Sequence, residues 1–297
     1  MDALTELRAL VDRLARKGKP PSELPHLRWG RSTQTSRPND ATEESMTALI
    51  AVVLQGEKRS ALGSHAFKCG AGDLLVASMK APLPGQITRA SAREPFLAVG
   101  LLLRPVLVAS LLLKAPDVPL GATPLAVATG KASDELLDAL RRYVRLVEEP
   151  ADIPVLAEAI EREIVWRVMR GPHGAALRTI GLANSSLARI SRAIDLLQAR
   201  FAEPVRIAEL ARVAHMSEPT FNRHFRQATA MSPLQFHKLL RLQEARARLL
   251  AGGADVTSVG FAVGYQSLSQ FSREYRRQFG VPPGEDAARV RGAARRR

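Results

Sequence analysis

The sequence predicts an α+β chain of two domains, a β-rich one over residues 1–183 and an all-α one over residues 184–297. Three observations carry this. From Leu49 to Leu103, short apolar runs alternate with turn residues, as in a small antiparallel sandwich or barrel. From Ser185 onward, apolar residues recur at helical spacing, joined by short turns. Within that second part a two-helix pattern occurs twice, with Phe221 and Phe271 at matching places 50 residues apart. A length of 297 residues suits about two domains of ordinary size.

In chain order, Leu4, Leu7, Val11 and Leu14 predict an amphipathic helix that Lys17-Gly18-Lys19-Pro20 ends. Strands are predicted at Leu49–Leu54 before Gly56, His65–Lys68 before Gly70-Ala71-Gly72-Asp73, Leu74–Ala77 before Pro82 and Pro84-Gly85, around Ile87, and at Phe96–Leu103 before Pro105. After Pro105 the period becomes helical. Leu136, Leu137, Leu140, Tyr143, Val144 and Val147 line one face, and Val155, Leu156, Ile160, Ile164, Val165 and Val168 another. Gly171-Pro172-His173-Gly174 then breaks the chain.

No apolar run approaches the roughly 20 residues that span a bilayer, and the N-terminus is mixed in charge, unlike a signal peptide. Cys69, the single cysteine, excludes an intramolecular disulfide and a multi-cysteine zinc site. It reads as a buried structural thiol, and a reducing cytoplasm is the expected compartment. The net charge of +14 is uneven: from Asn184 onward 19 Lys and Arg face 9 Asp and Glu, a net +10. Such asymmetry points to nucleic acid or another anionic surface as partner.

The repeated unit is a helix-turn-helix. Ile207–Ala214 is a short helix, His215-Met216-Ser217 the turn, and Ser217 the expected N-cap of a second helix with Pro219 in its first turn. Phe221 and Phe225 face inward. In the second copy Val256–Val263 leads to Gly264, suited to a left-handed cap, and Ser267 with Gln270 has the spacing of a capping box. Phe271, Tyr275 and Phe279 form the inward stripe, and Arg273 falls where Arg223 does. Between the copies Ser232-Pro233-Leu234-Gln235 opens a helix expected to run through Leu250, before Gly252-Gly253. Eighteen residues rise roughly 27 Å, close to the ~34 Å between successive major-groove segments on one DNA face.

These residues resemble the AraC/XylS family of bacterial transcription regulators. The resemblance rests on Ile207-Ala-Glu-Leu-Ala211, on Met216-Ser217 with Phe221, Arg223 and Phe225, and on Met231-Ser232-Pro233. It continues through Gly264-Tyr265-x-Ser267-x-Ser269-x-Phe271-x-Arg273 to Phe279-Gly280-Val281-Pro282-Pro283. The family's pattern goes on with an aromatic-arginine pair, where this chain has Gly284-Glu285-Asp286. The N-terminal part is similar to one subgroup's effector domain through Leu54–Lys58, Gly70–Val76, Gly85–Thr88, Glu94–Leu97, Asp152–Leu156, Glu161–Ile164 and Arg170-Gly171-Pro172. It departs at Lys80, where that subgroup often carries an acid. The resemblance implies a cupin-like β-barrel with flanking helices used in packing and dimerisation. It also implies a small-molecule effector, promoter DNA and RNA polymerase as partners, and activation of transcription.

A single surface arginine is ordinarily a solvated one; the duplicated position of Arg223 and Arg273 argues instead for DNA contact, since guanidinium forks suit guanine edges and phosphates. The resemblance turns Pro219, Thr220, Asn222 and Arg223 of the first recognition helix toward the groove. In the second helix the matching positions are Leu268, Ser269, Ser272 and Arg273, with Gln270 near the helix start. Arg226, Arg276 and Arg277, further along, are expected at phosphates, and Arg295-Arg296-Arg297 forms a basic tail. Two rival readings are a metal-dependent cupin enzyme with an appended DNA-binding module and a sequence-independent architectural DNA binder. The first needs a histidine cluster, and His65 stands alone in the barrel region apart from the early His26. His215, His224 and His237 are scattered. No phosphate cradle, nucleophile elbow or carboxylate pair appears, so no enzyme activity, metal or cofactor is expected. The pocket residues for the effector are not legible at this stage.

Overall fold

The computed structural model describes residues 2–36, 48–63, 65–78, 85–114, 126–172, 174–178, 186–251 and 255–294, with side chains to residue 288 in the last span. Lys80, the Pro82–Pro84 turn, the 183/184 boundary, Gly252-Gly253 and Arg295-Arg296-Arg297 lie outside the described residues. The chain forms two compact units, Met1–Arg189 with Gln227–Ala230, and Ile190–Arg226 with Met231–Arg297.

The first unit opens with α1 (Ala3–Lys17), capped by Asp2, whose carboxylate accepts from the Thr5 N–H at 2.7 Å. The strands are β1 (Leu27–Ser32), β2 (Leu49–Gln55), β3 (Glu57–Leu62), β4 (His65–Gly70), β5 (Asp73–Ala77), β6 (Gly85–Arg89) and β7 (Phe96–Leu102). Then come α2 (Pro105–Lys114), β8 (Val127–Lys131), α3 (Asp134–Arg145), α4 (Ile153–Arg170) and the short α5 (Gly174–Arg178). Among the described residues the strands do not close into the expected barrel. The strands make a five-stranded sheet, β1-β7-β2-β5-β8, and a three-stranded one, β4-β3-β6, and every pair is antiparallel. The chain passes from the larger sheet to the smaller at Gly56, whose φ of 79° is left-handed. A Cβ there would stand 2.5 Å from the Arg89 carbonyl oxygen, so only glycine turns this corner.

Three strands, β1, β3 and β8, were not expected from the sequence; β8 interrupts the helical period read after Pro105. It is a five-residue edge strand held to β5 from Asp73↔Lys131 to Ala77↔Val127.

The main core lies on the outer face of the larger sheet. Ile50, Val52 and Leu54 of β2, Leu74 and Val76 of β5, and Leu97, Val99 and Leu101 of β7 pack there with Leu7, Val11 and Leu14 of α1 and Leu136, Leu140 and Tyr143 of α3. One polar knot is buried beside it. Glu161 on α4, 4% exposed, accepts from the Tyr143 hydroxyl and from Arg104 Nη2 at 2.9 Å, and its Oε1 lies 3.1 Å from His26 Nδ1. A buried carboxylate is tolerable only with partners of this number. Here they tie the entry to β1, the start of α2, and helices α3 and α4 together.

The second unit is helical: α6 (Ser186–Ala199), α7 (Ile207–Val213), α8 (Glu218–Thr229), α9 (Pro233–Ala251), α10 (Val256–Ala262), α11 (Leu268–Phe279) and α12 (Pro283–Ala294). Helix α9, at 19 residues, is about 28 Å long. No helix among the described residues is long and apolar enough to cross a membrane.

Candidate nucleic-acid interface and inter-sheet cavity

Helices α7 and α8 form one helix-turn-helix, and α10 and α11 the other. Each turn contains a residue with left-handed backbone, His215 at φ 51° and Gly264 at φ 90°. Each second helix is followed by another, Ala230 at φ 55° and Gly280 at φ 77°. The offset is 49 residues from α7 to α10 but 50 from α8 to α11, so the second turn is one residue longer. Met216 N donates to Ala211 O at 2.9 Å, and Tyr265 N to Gly260 O at 3.1 Å, at matching places.

The aromatic residues pin the second helix of each motif from below. Phe221, Phe225, Phe271 and Tyr275 are fully buried. Phe225 meets Phe236 of α9 edge-on, with ring centroids 5.4 Å apart. Fifty residues on from Phe236 stands Asp286 of α12, buried with it the Arg246 of α9: Arg246 Nε and the Tyr275 hydroxyl donate to Asp286 Oδ2 at 2.9 and 3.0 Å. Burial and the Asp286 charge raise the Tyr275 phenol above its usual range. Arg246 also lies 4.7 Å over the Phe279 ring. The Gly284-Glu285-Asp286 departure thus closes the motif with a buried ion pair.

With the aromatic face held down, the opposite face is free. Pro219, Asn222, Arg223 and Arg226 on α8 are exposed, and Thr220 is half-buried, taking a hydrogen bond from Ser217 Oγ at 3.0 Å. Asn222 Nδ2 donates to Glu218 O at 3.1 Å. On α11, Leu268, Ser269, Gln270, Arg273, Arg276 and Arg277 are exposed and Ser272 is half-buried. Arg273 Nε donates to Ser269 O at 3.3 Å. The capping box is complete at α9, where Ser232 N reaches Gln235 Oε1 at 2.9 Å and Gln235 N reaches Ser232 Oγ at 3.3 Å. At α11 only one half forms, Gln270 N to Ser267 Oγ at 3.4 Å, and the Gln270 side chain goes elsewhere.

Three residues that sequence reasoning missed hold the second motif. Arg241 of α9 donates to four carbonyl oxygens, those of Phe201 (2.7 Å), Ala202 (3.2 Å), Glu203 (2.9 Å) and Gly264 (3.1 Å). Lys238 of α9 and Glu274 of α11 pair at 2.8 Å. His237 is buried with Nε2 2.8 Å from Phe201 O.

The first unit holds a cavity of about 360 Å³ between its two sheets. Side-chain alternation explains its shape. On β1, Trp29 packs on the outer core and Arg31 pairs with Asp12 of α1 at 2.8 Å, so Arg28, Gly30 and Ser32 turn inward. Gly30 lies beside Ala98 of β7, and Gly100 beside Ala51 of β2, which leaves a floor of small residues. A Cβ on Gly30 would meet nothing within 4 Å. The smaller sheet contributes Lys58, Ser60, Cys69 and Ile87. Arg28 Nη1 donates to the Pro25 and Leu27 carbonyl oxygens, 2.7 Å each. Cys69 is buried, and burial pushes its thiol up to about 11. His65 is exposed on β4. Among the described residues no three His, Cys, Asp or Glu side chains converge as metal ligands would.

An inter-sheet cavity in one unit and paired helix-turn-helix motifs in the other define a two-part helix-turn-helix protein. The model of the AraC-type transcriptional regulator N-terminus matches residues 23–176, and a helix-turn-helix domain model matches residues 210–289. The chain belongs to the AraC-type transcriptional regulators. It is 33% identical over 140 residues to the HTH-type transcriptional regulator ArgR of Pseudomonas aeruginosa, covering 47% of this chain and 43% of that one. It is 28% identical over 182 residues to a putative AraC-like transcription regulator of Streptomyces lividans, covering 52% and 59%. The chain therefore spans about half the length of these curated relatives. In fold it is similar to ToxT of Vibrio cholerae solved with (E)-4-(8-methylnaphthalen-1-yl)but-3-enoic acid, at a TM-score of 0.59 and 10% identity, covering 89% of this chain and 99% of ToxT.

Proposed function

We propose that this chain is a sequence-specific DNA-binding transcriptional regulator, acting as an activator, whose residues 1–183 sense a small molecule and whose residues 184–297 bind promoter DNA. The observation that carries the reading is the duplication. Two recognition helices are each pinned by an aromatic pair and each present an exposed arginine, Arg223 and Arg273, at the same position. Pro219, Thr220 and Asn222 join Arg223 at base edges in one groove segment; Leu268, Ser269, Gln270 and Ser272 join Arg273 in the next. Arg226, Arg276 and Arg277 take phosphates. Helix α9 is long enough to set the two helices about one DNA turn apart.

The cavity supports the sensory half of the proposal. Among the described residues its lining is mainly apolar, with Arg28 and Lys58 as basic members and no acidic one. Its ligand is therefore a mainly apolar small molecule. Such an effector acts by binding more tightly to one of two conformers or dimeric states that differ in DNA affinity. The reading assigns the chain no catalytic step; it works in the cytoplasm as a homodimer that engages RNA polymerase.

Competition binding tests the DNA half. A duplex selected from a random pool is expected to displace labelled probe far better than bulk random duplex, with affinity falling steeply as salt rises, because phosphate contacts release counterions. Equal affinity for selected and random duplex would sink the regulator reading in favour of an architectural binder.

A further inference from the structure

Glu274 lies one helical turn beyond Gln270 on α11 and gathers three donors. Lys238 Nζ is 2.8 Å away, the Tyr265 hydroxyl 2.8 Å, and Gln270 Nε2 3.3 Å. Burial works to raise its pKa, but the hydrogen bonds from Lys238, Tyr265 and Gln270 and the Lys238 charge outweigh it, leaving the carboxyl below its ordinary range. It is therefore ionised at neutral pH, and an ionised carboxylate only accepts. The NH2 end of the Gln270 carboxamide must face it, which fixes the flip of the amide.

The spacing Ser267-x-x-Gln270 offers that carboxamide another use, the return bond of a capping box, as Gln235 makes to Ser232. Gln270 instead lies along the helix toward Glu274 and stays exposed on the face that carries Ser269 and Arg273. One amide hydrogen is engaged. When that is the hydrogen anti to Oε1, the oxygen and the remaining N–H stand side by side facing out. An acceptor beside a donor in one plane matches the N6–H and N7 of adenine in the major groove. The first recognition helix has Thr220 and His224 at these two places, so the arrangement belongs to the second helix alone.

We propose that Gln270 reads an adenine in the major groove, and that Glu274, fixed by Lys238 and Tyr265, is the positioning residue that presents the carboxamide to it. The inference rests on the reading of α11 as a recognition helix. The test is sequencing of the fraction bound by the full chain from a pool of randomised duplexes. It is run for the wild type, Gln270→Ala, Glu274→Ala and Glu274→Gln, with the melting temperature of each.

The wild type is expected to favour adenine over other bases at one position by roughly 5- to 140-fold, the range of one bidentate contact. Gln270→Ala flattens that position and leaves the others. Glu274→Ala flattens the same position, while Glu274→Gln, which keeps an acceptor oxygen, preserves part of the preference. A merely structural role for Glu274 would instead weaken all positions together with a lower melting temperature, and that result overturns the proposal. So does a wild-type motif that Gln270→Ala leaves unchanged, or one in which the position it alters is not adenine. A wild type that selects no motif at all removes the recognition-helix reading itself, and this inference with it.

Discussion

The buried pair at the close of the second motif gives the sharpest stability prediction. Asp286 is 1% exposed and Arg246 5%, and Asp286 Oδ2 takes both the guanidinium and the Tyr275 hydroxyl. Asp286→Ala leaves a desolvated cation and a phenol without the acceptor each now uses. Removing one partner of a buried pair costs about 3–5 kcal/mol, a large share of the roughly 5–15 kcal/mol that holds a typical domain together. For a unit of this size, with a urea slope of about 1.5 kcal/mol/M, the midpoint falls by about 2–3 M. Both tryptophans, Trp29 and Trp166, lie in the first unit, so their fluorescence follows that unit while far-UV circular dichroism is dominated by helix. In Asp286→Ala the part of the dichroism transition due to the second unit is expected to move to lower urea, ahead of the fluorescence transition. Glu285→Ala, at an exposed neighbour in the same first turn, should move neither. A shift below about 1 kcal/mol for Asp286→Ala would refute the reasoning, because it would mean the pair contributes no more than an exposed one.

Three further predictions follow from backbone and burial. Gly30→Val puts a β-branched residue on a strand where a Cβ meets nothing; stability is expected to hold or rise by about 0.5–1 kcal/mol, while binding of the apolar anion 1-anilinonaphthalene-8-sulfonate, followed by fluorescence titration, is lost as the cavity fills. Gly264→Ala and Gly280→Ala both face left-handed backbone, at φ 90° and 77°, but only Gly264 would also place a Cβ 2.1 Å from Ala202 O. Gly280→Ala should cost about 1 kcal/mol and Gly264→Ala distinctly more by urea titration, since the clash also displaces the carbonyls that Arg241 holds. Burial raises the Cys69 thiol from 9.0 to about 11. The fold therefore favours the neutral thiol, a contribution fully present below pH 9 and lost as pH rises through about 11; Cys69→Ala should remove that share of the alkaline loss of stability, and iodoacetamide should label the native thiol slowly at pH 8.

Where the sequence was legible and where it was not follows from what each residue packs against. The expected strands include β2, β5 and β7, which carry the outer core, and an apolar face at period two is what a dry interface demands. Of the unexpected strands β1, β3 and β8, the first two turn Arg28, Gly30, Ser32, Lys58 and Ser60 into the cavity. Polar and small residues on the cavity face leave β1 and β3 without a run of alternating apolar residues, which is the signal for a strand. The closed barrel failed for a related reason, since the sheet change at Gly56 depends on a backbone corner that residue counts do not reveal.

The helical unit was legible in its repeat because the aromatic pairs are local, four residues apart on one face. Its long-range contacts were not. Lys238 meets Glu274 across 36 residues and Arg246 meets Asp286 across 40. In the sequence each is one more charge among many, and the ordinary reading of such a charge is a solvated surface. What distinguishes these two pairs is where the helix axes bring them. Helix α9 lies against both α11 and α12, so its residues at positions 238, 241 and 246 are the ones able to steer the second motif. The face proposed to meet DNA is thus set by side chains on a helix that carries none of the expected base contacts. Substitutions on the buried side of α9 should therefore alter which bases α11 prefers while leaving Arg273 itself untouched.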